Sequence, residues 1–371
     1  MTNTASMRTR PTPELWTLVR PNCGRTSVEA RLAEQEGWDG IFVPDSQNLA
    51  PDVLVQLSLC VGATDRLRLA TGVANPVTRH PAALACAMAT LQAESQGRVV
   101  LGIGRGDSSL AHIGAAPAPV RRFERYLAAL QTYLRGDDLA FDRMWLPDDV
   151  PGVEQLTLGT APSGSALHWL DRNVAKVPLD VAASGPKVIR AAVAHSDRIT
   201  FSIGADPSRL SWACNEARTA LAASHRPLDS VQLGAYVVVA VSDHVDEARS
   251  LAVTGGLASF SRHSVIEGRH LPSVAPGDVK VEESLANRYD MNVHGRPVAD
   301  HLAAFTPDFV DRNAIAGTTT HCLQRISELW ALGLDHLVIV ERSEKVGAAE
   351  QSHHRVVTEI MPELRRLGVS S

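Results

Sequence analysis

Four short stretches of this sequence combine side chains able to bind or move charge with glycines that let a ligand approach the backbone. They are Asp45-Ser46-Gln47-Asn48, Thr71-Gly72-Val73-Ala74-Asn75, Gly104-Arg105-Gly106-Asp107 and Ser184-Gly185-Pro186-Lys187. Each follows an apolar run. Asp45 supplies a carboxylate, which in a partly apolar mouth has a raised pKa that suits proton transfer near neutral pH, and Asp107 adds a second acid at the rim. Arg105 offers a planar fork of donors to a phosphate. Gly104 and Gly106 would let a phosphate-bearing cofactor come close, although glycines there also make a tight turn without any ligand. Ser184 can cap the helix that Pro186 opens. The same geometry aims free N–H groups and the positive end of the helix dipole at an anion, and Lys187 adds charge in a chain with only four lysines.

Other chemistries lose their support. Gly102-Ile103-Gly104-Arg105-Gly106 invites a dinucleotide reading, but that fingerprint opens a helix directly and puts an acid at the end of the next strand, about 20 residues on. Here Asp107-Ser108-Ser109 leads into Gly114 and two prolines, and Glu124 falls inside a helical pattern. The 14 histidines show no His-Glu-x-x-His spacing, and His353-His354 reads as a solvated pair on a surface helix. There is no Gly-x-Ser-x-Gly elbow and no Gly-x-x-x-x-Gly-Lys-Ser/Thr loop. No metal site is expected.

The elements that must position these groups alternate. Apolar runs at Leu15–Val19, Gly40–Val43, Leu67–Val73, Arg98–Ile103, Leu179–Ala183, Arg198–Ile203, Val231–Val241 and Leu337–Val340 each precede a segment of helical period. Helices are expected from Ser27, Pro51-Asp52, Pro81, Pro119, Pro186, Pro207 and after Asp243, with a last one carrying Val356, Ile360, Leu364 and Leu367. Short apolar strands without polar alternation are buried on both faces, as in a parallel sheet covered by helices. Eight such units close most economically as a (β/α)8 TIM barrel, with the site at the carboxyl ends of the strands. An open doubly wound sheet is the alternative. Two stretches exceed what the units need, 136–178 between strands four and five and 255–313 between strands seven and eight. Loops of that length are usually functional, and they could roof one side of the mouth. Residues 1–13 read as a loose polar tail, and 14–371 as one barrel domain.

Composition narrows the partners. The 371 residues carry 36 Lys+Arg against 41 Asp+Glu, a net charge of −5, so no nucleic-acid surface is implied. No apolar run approaches the roughly 20 residues of a membrane span, and the amino terminus lacks the apolar core of a secretory signal. Five cysteines, an odd number without a Cys-x-x-Cys pair, fit buried thiols in a reducing cytoplasm better than disulfides.

The run Thr71-Gly72-Val73-Ala74-Asn75-Pro76-Val77-Thr78-Arg79-His80-Pro81, with Ala89-Thr90-Leu91-Gln92 and Gly97 through Gly106, resembles the bacterial-luciferase-like superfamily. Ala33 through Asp45 and Asp180 through Pro186 fit as well. Within that superfamily the sequence is most similar to the group of coenzyme F420-dependent methylenetetrahydromethanopterin reductases. The likeness covers about residues 14–225 and, more weakly, 317–340.

The resemblance implies a barrel that binds a flavin or deazaflavin and acts as an oxidoreductase on a small molecule. Gly72-Val73 matches a non-prolyl cis peptide behind the ring, in a segment where Thr71 and Asn75 also contribute to cofactor binding. Asp45 matches the acid beside the reacting ring face, and Asp107 an acidic residue near the substrate. Gly104, Arg105 and Gly106 match a phosphate contact, and Ala183, Ser184, Gly185 and Pro186 a second one. Ser46 departs from the pattern, since many members carry His there, so the acid–base details do not transfer. Gly-Val-x-Asn-Pro favours F420 and hydride transfer, whereas Arg105 in Gly-Arg-Gly is compatible with reduced FMN and a monooxygenase. A barrel that binds flavin without catalysis is a further alternative. A homodimer is expected, and substrate identity is expected to reside in 255–312.

Overall fold

The computed structural model describes residues 13–369 apart from 145, 147–148, 263–264, 267–268, 271, 273 and 343. Of the expected amino-terminal tail, residues 1–12 lie outside the described residues. Eight parallel strands close into a barrel: β1 (Glu14–Leu18), β2 (Gly40–Val43), β3 (Arg68–Thr71), β4 (Val99–Ile103), β5 (Leu179–Ala183), β6 (Arg198–Phe201), β7 (Gln232–Val241) and β8 (His336–Val340). Each pairs with its successor, and β8 closes on β1 through Glu14↔His336 to Thr17↔Ile339. The (β/α)8 barrel is therefore the fold, not the open sheet.

Helices α1 (Thr26–Glu36), α2 (Val53–Val61), α3 (Pro81–Glu94), α4 (Val120–Leu134), α5 (Pro186–His195), α6 (Pro207–Ala223), α7 (Val245–Ala252), α8 (Thr319–Ala331) and α9 (Ala348–Arg355) cover the outside. Their starts follow local chemistry. Asp52 caps α2 by accepting from the Leu54 N–H at 2.9 Å, and Asp206 caps α6 from Ser208 at 2.8 Å. Pro81, Pro186 and Pro207 sit in first turns, where the missing N–H costs nothing. The outward strand residues Leu15, Ile41, Leu69, Leu101 and Val181 pack with Leu57, Leu84, Met88, Phe123 and Leu127 of the helices in one core.

The barrel interior is built differently. Trp16 fills it because β2 opens with Gly40, where a Cβ would lie 2.3 Å from the indole. Gly234 makes the same room for His336, whose Nε2 would be 2.2 Å from a Cβ. A column of aromatic rings climbs the interior, with centroids 5.1 Å apart for Trp16 and Phe42 and 5.7 Å for Phe42 and Tyr236. Its floor is charged. Arg68 and Arg198 lie 5.0 and 5.1 Å from the Trp16 ring and both pair with Glu14. Beside them Thr200 Oγ1 donates to Asp180, 2.8 Å away, and lies 2.8 Å from His336 Nε2.

The β3 ladder ends at Thr71, two residues before the apolar run does, and the Gly72–Val73 peptide that follows is cis. The ladder of β6 likewise stops at Phe201, not at Ile203. A short strand, Ile315–Gly317, pairs with the upper end of β7; the sequence pattern did not reveal it. The stretch between β4 and β5 holds a small antiparallel pair, Leu139–Ala140 with Gly164–Ser165. The described residues of the 255–313 stretch are mostly helical, and Pro276–Arg288 is a helix of 13 residues.

One expectation fails. His353 is buried, not solvated: its Nδ1 lies 2.8 Å from Glu341 and its Nε2 3.0 Å from Glu36, two carboxylates that the turn after β8 and the end of α1 bring to it. Helical period alone placed the neighbouring pair on the surface, and only His354 is there. No helix among the described residues is long and apolar enough to cross a membrane.

Candidate functional site

The carboxyl ends of β2, β3 and β4 meet through hydrogen bonds that join three of the four stretches. Asp45 is buried at the end of β2. Gln47 Nε2 donates to its Oδ1 at 2.5 Å, and Gln47 Oε1 in turn accepts from Asn75 Nδ2 at 3.0 Å. Asn75 Oδ1 accepts from the Val77 and Thr78 N–H groups, both at 3.0 Å, which fixes the turn after the cis peptide. Thr71 Oγ1 donates to the Gly102 carbonyl at 2.6 Å, and Gly104 N–H to the Ala74 carbonyl at 2.9 Å, stitching β3 to β4.

The glycines of β4 are steric requirements. A Cβ at Gly102 would lie 2.0 Å from the Thr71 carbonyl oxygen, and one at Gly104 would lie 3.1 Å from Val73 Cγ2. Val73 therefore lies across Gly102 and Gly104 as an apolar shelf. Gly104 also adjoins β5, 3.8 Å from Ala182 Cβ. Gly106 adopts φ 85°, a left-handed conformation that glycine accepts readily.

Asp45 is governed by two opposing forces. Burial pushes its pKa above the usual carboxylate value, while the Arg79 guanidinium, Nη1 at 2.6 Å from Oδ2, pulls it back, and the net direction is up. Arg79 also holds Asp52 at 2.6 Å, which lies below its usual value. Tyr126 of α4 anchors Arg79 by donating to its carbonyl at 2.8 Å. Arg79 and Gln47 belong to the site, yet sequence reasoning gave neither a role. The signal was available for Gln47, which stands two residues from Asp45, but not for Arg79, 34 residues away.

The remaining candidates sit around this core. Arg105 Nε donates to the Ala118 carbonyl at 2.6 Å, and Ala118 N–H donates back to the Arg105 carbonyl at 3.0 Å, closing the loop between β4 and α4. Asp107 pairs with Arg262, a residue of the 255–313 stretch. Ser184 Oγ donates to the Ser202 carbonyl at 3.0 Å, tying β5 to β6 instead of capping α5. Gly185 is the N-cap, and no side chain caps it. Ala183 is buried at the end of β5, and Lys187 is exposed. Among the described residues no cluster of His, Cys, Asp and Glu could hold a metal ion.

Phe260, Arg262 and Met291 of the 255–313 stretch lie over this mouth. Phe260 stands 5.6 Å from Tyr236, extending the aromatic column upward. His112 Nε2 lies 3.0 Å from the Met291 carbonyl, and Asn48 Nδ2 donates to the His112 carbonyl at 3.0 Å.

Comparison with known proteins agrees with this architecture. The profile of the luciferase-like monooxygenases matches residues 7–336. A 5,10-methylenetetrahydromethanopterin reductase from Methanolobus tindarius is 25% identical over 313 residues, 83% of this chain and 87% of its own. An F420-dependent glucose-6-phosphate dehydrogenase from Beutenbergia cavernae is 32% identical over 251 residues, 63% of this chain and 69% of its own. Among solved structures, the coenzyme F420-dependent tetrahydromethanopterin reductase of Methanopyrus kandleri superposes with a TM-score of 0.70 at 18% identity, covering 95% of this chain and 99% of that one, a likeness of fold. On the match over most of its length, the chain belongs to the luciferase-like monooxygenase family.

Proposed function

We propose that this chain is an F420-dependent oxidoreductase that moves a hydride to or from a small organic substrate held in the barrel mouth. The observation that carries the reading is the Val73 shelf across Gly102 and Gly104, set beside the buried Asp45. Such a shelf fits the back of a flat ring. The names of the M. tindarius and B. cavernae relatives, a reductase and an F420-dependent dehydrogenase, support the same class.

F420 bound there supplies a two-electron hydride donor or acceptor. Val73, Gly72 and Gly104 support the ring, with Thr71 and Asn75 fixing the backbone beneath it. The first turn of α5 carries N–H groups that no side chain caps, a suitable end for a phosphate. Ala183, Ser184, Gly185 and Pro186 shape that end, and Arg105 and Gly106, in the loop after β4, are assigned to the phosphate with them. Asp45 Oδ1, which accepts from the neutral Gln47 amide and keeps a second lone pair, is the atom assigned to hold or hand over a proton, since Oδ2 faces the Arg79 cation. Asp107 is assigned to the substrate side of the mouth.

The second reading, a reduced-FMN monooxygenase, draws on the family's name. Against it stand the names of the two relatives, a methylenetetrahydromethanopterin reductase and an F420-dependent dehydrogenase. Titration of the purified protein with F420 and with FMN, followed by fluorescence quenching, separates them. Quenching by F420 and not by FMN is expected. Oxygen consumption with reduced FMN and inertness with reduced F420 would transfer the assignment to the monooxygenase.

Two coarser features complete the reading. Val28 and Leu32 on α1 and Val55 and Leu59 on α2 are exposed in an i, i+4 spacing on adjacent helices, and α2 has no charged residue. This apolar face supports a homodimer. Cys60, Cys214 and Cys322 are buried free thiols, which supports a cytoplasmic location.

A further inference from the structure

The segment after α7 does not continue as a regular helix. It widens into a π turn, Val253–Leu257, in which Gly256 takes φ 123°, and a four-residue helix, Ala258–Ser261, follows. Turns of this kind often occur at functional sites. Here the turn delivers Phe260 and Arg262 to the mouth.

Arg262 is held on a prepared platform. Its guanidinium lies 4.8 Å from the Tyr289 ring centroid, and its side chain is 14% exposed. Tyr289 is itself fixed: it stacks on His301 with centroids 4.3 Å apart and planes 6° apart. Its hydroxyl lies 2.7 Å from His294 Nδ1 and 3.1 Å from Ser259 Oγ. The guanidinium pairs with Asp107 at the end of β4, yet its buried Nε has no hydrogen-bond acceptor among the described residues. A buried guanidinium with donor capacity left over is unusual, because buried polar groups are almost always satisfied. Beside it, Phe260 presents an apolar face above Tyr236.

From this arrangement we infer that Arg262 receives an anionic group of the substrate, whose apolar body rests against Phe260, and that Asp107 occupies the anion's place until substrate binds. The inference rests on the mouth being the active site. The ligand is an organic acid, a carboxylate or a phosphate, because either offers paired oxygens to a guanidinium fork. The incoming anion competes with Asp107 for the guanidinium and, able to engage the open Nε edge as well, takes its place and turns it toward solvent. Arg262 is therefore a specificity residue and Asp107 its competitor for the cation.

The probes are benzoate, phenyl phosphate and the neutral benzamide, measured by calorimetry on the full chain loaded with F420. Benzoate or phenyl phosphate should bind more tightly than benzamide. Arg262→Gln should weaken the better anion about 10–100-fold, the range for a lost hydrogen bond to a charged group, and leave benzamide unchanged. Asp107→Asn, which keeps the shape and removes the competing charge, should tighten it. Preference for the phosphate or the carboxylate arm identifies the group. Anions binding no better than benzamide, or an unchanged affinity in Arg262→Gln, would overturn the inference. F420 quenching by Arg262→Gln verifies that the variant is folded. Failure of the wild type to bind F420 would instead strike the proposed function, whatever benzoate does.

Discussion

Asp45 and Arg79 form a buried ion pair, Oδ2 to Nη1 at 2.6 Å, and the other arm of the same guanidinium holds Asp52 at 2.6 Å. Burial pushes the Asp45 pKa up, and Arg79 opposes that. The arginine thereby sets how readily the Asp45 proton can leave. Breaking the pair from the arginine side leaves burial opposed only by the Gln47 hydrogen bond.

Arg79→Gln should therefore raise the pKa of Asp45 further. A carbon-13 NMR titration of the Asp45 carboxyl should show its midpoint moved to higher pH than in the wild type. Stability should fall by about 1–3 kcal/mol, the cost of leaving a buried acceptor without its donor. An unmoved Asp45 midpoint would show that Arg79 matters only to Asp52.

Asp45→Asn keeps the shape and removes the titrating group. F420 quenching should persist in this variant while hydride transfer with a confirmed substrate is lost. Retained turnover would reduce Asp45 to a turn-forming residue.

Gly102→Ala and Gly104→Ala separate folding from binding. At position 102 the new methyl meets backbone, 2.0 Å from the Thr71 oxygen, so the β3–β4 contact must open. A loss of about 1–3 kcal/mol in denaturant unfolding is expected, as for other overpacked sites. At position 104 the neighbour is a Val73 methyl at 3.1 Å, which can yield by a few tenths of an ångström. That variant should unfold like the wild type and quench F420 more weakly, because the shelf has moved.

His353 links stability to alkaline pH. Its two carboxylate partners raise its pKa from 6.5 to about 9 despite burial. The protonated ring therefore stabilises the fold fully below its ordinary value of 6.5, and the contribution disappears as pH rises through about 9. On the order of 3 kcal/mol is involved. Urea unfolding at pH 6 and pH 9.5 should reveal the loss in the wild type, and His353→Gln should not show it.

Leu59→Glu places a charge on the apolar face shared by α1 and α2. If that face joins two copies, light scattering after size exclusion should show the wild type at twice the chain mass and the variant at one. F420 quenching should survive, since Leu59 is on the outer surface of α2.

The barrel was legible in the chain, because each strand and each helix start is a local event. Runs such as Gly40–Val43 and Val99–Ile103, and first turns at Pro81, Pro186 and Pro207, carry their structure in neighbours a few residues apart. The glycines of the mouth were legible for the same reason, and the Gly72–Val73 peptide is cis as the family likeness implied. Which charges meet depends on how the closed barrel folds distant segments together. Arg79 reaches Asp45 across 34 residues and His353 reaches Glu36 across 317, and neither pairing leaves a period in the chain. Nor did the run Leu179–Ala183 disclose that Asp180 points inward to Thr200, His336 and Arg198. Strand periodicity specifies which face a residue takes, but closure of the sheet brings together side chains from strands distant in sequence. The pairing of Asp107 with Arg262 arises in the same way, from a roof segment folding back over the end of β4.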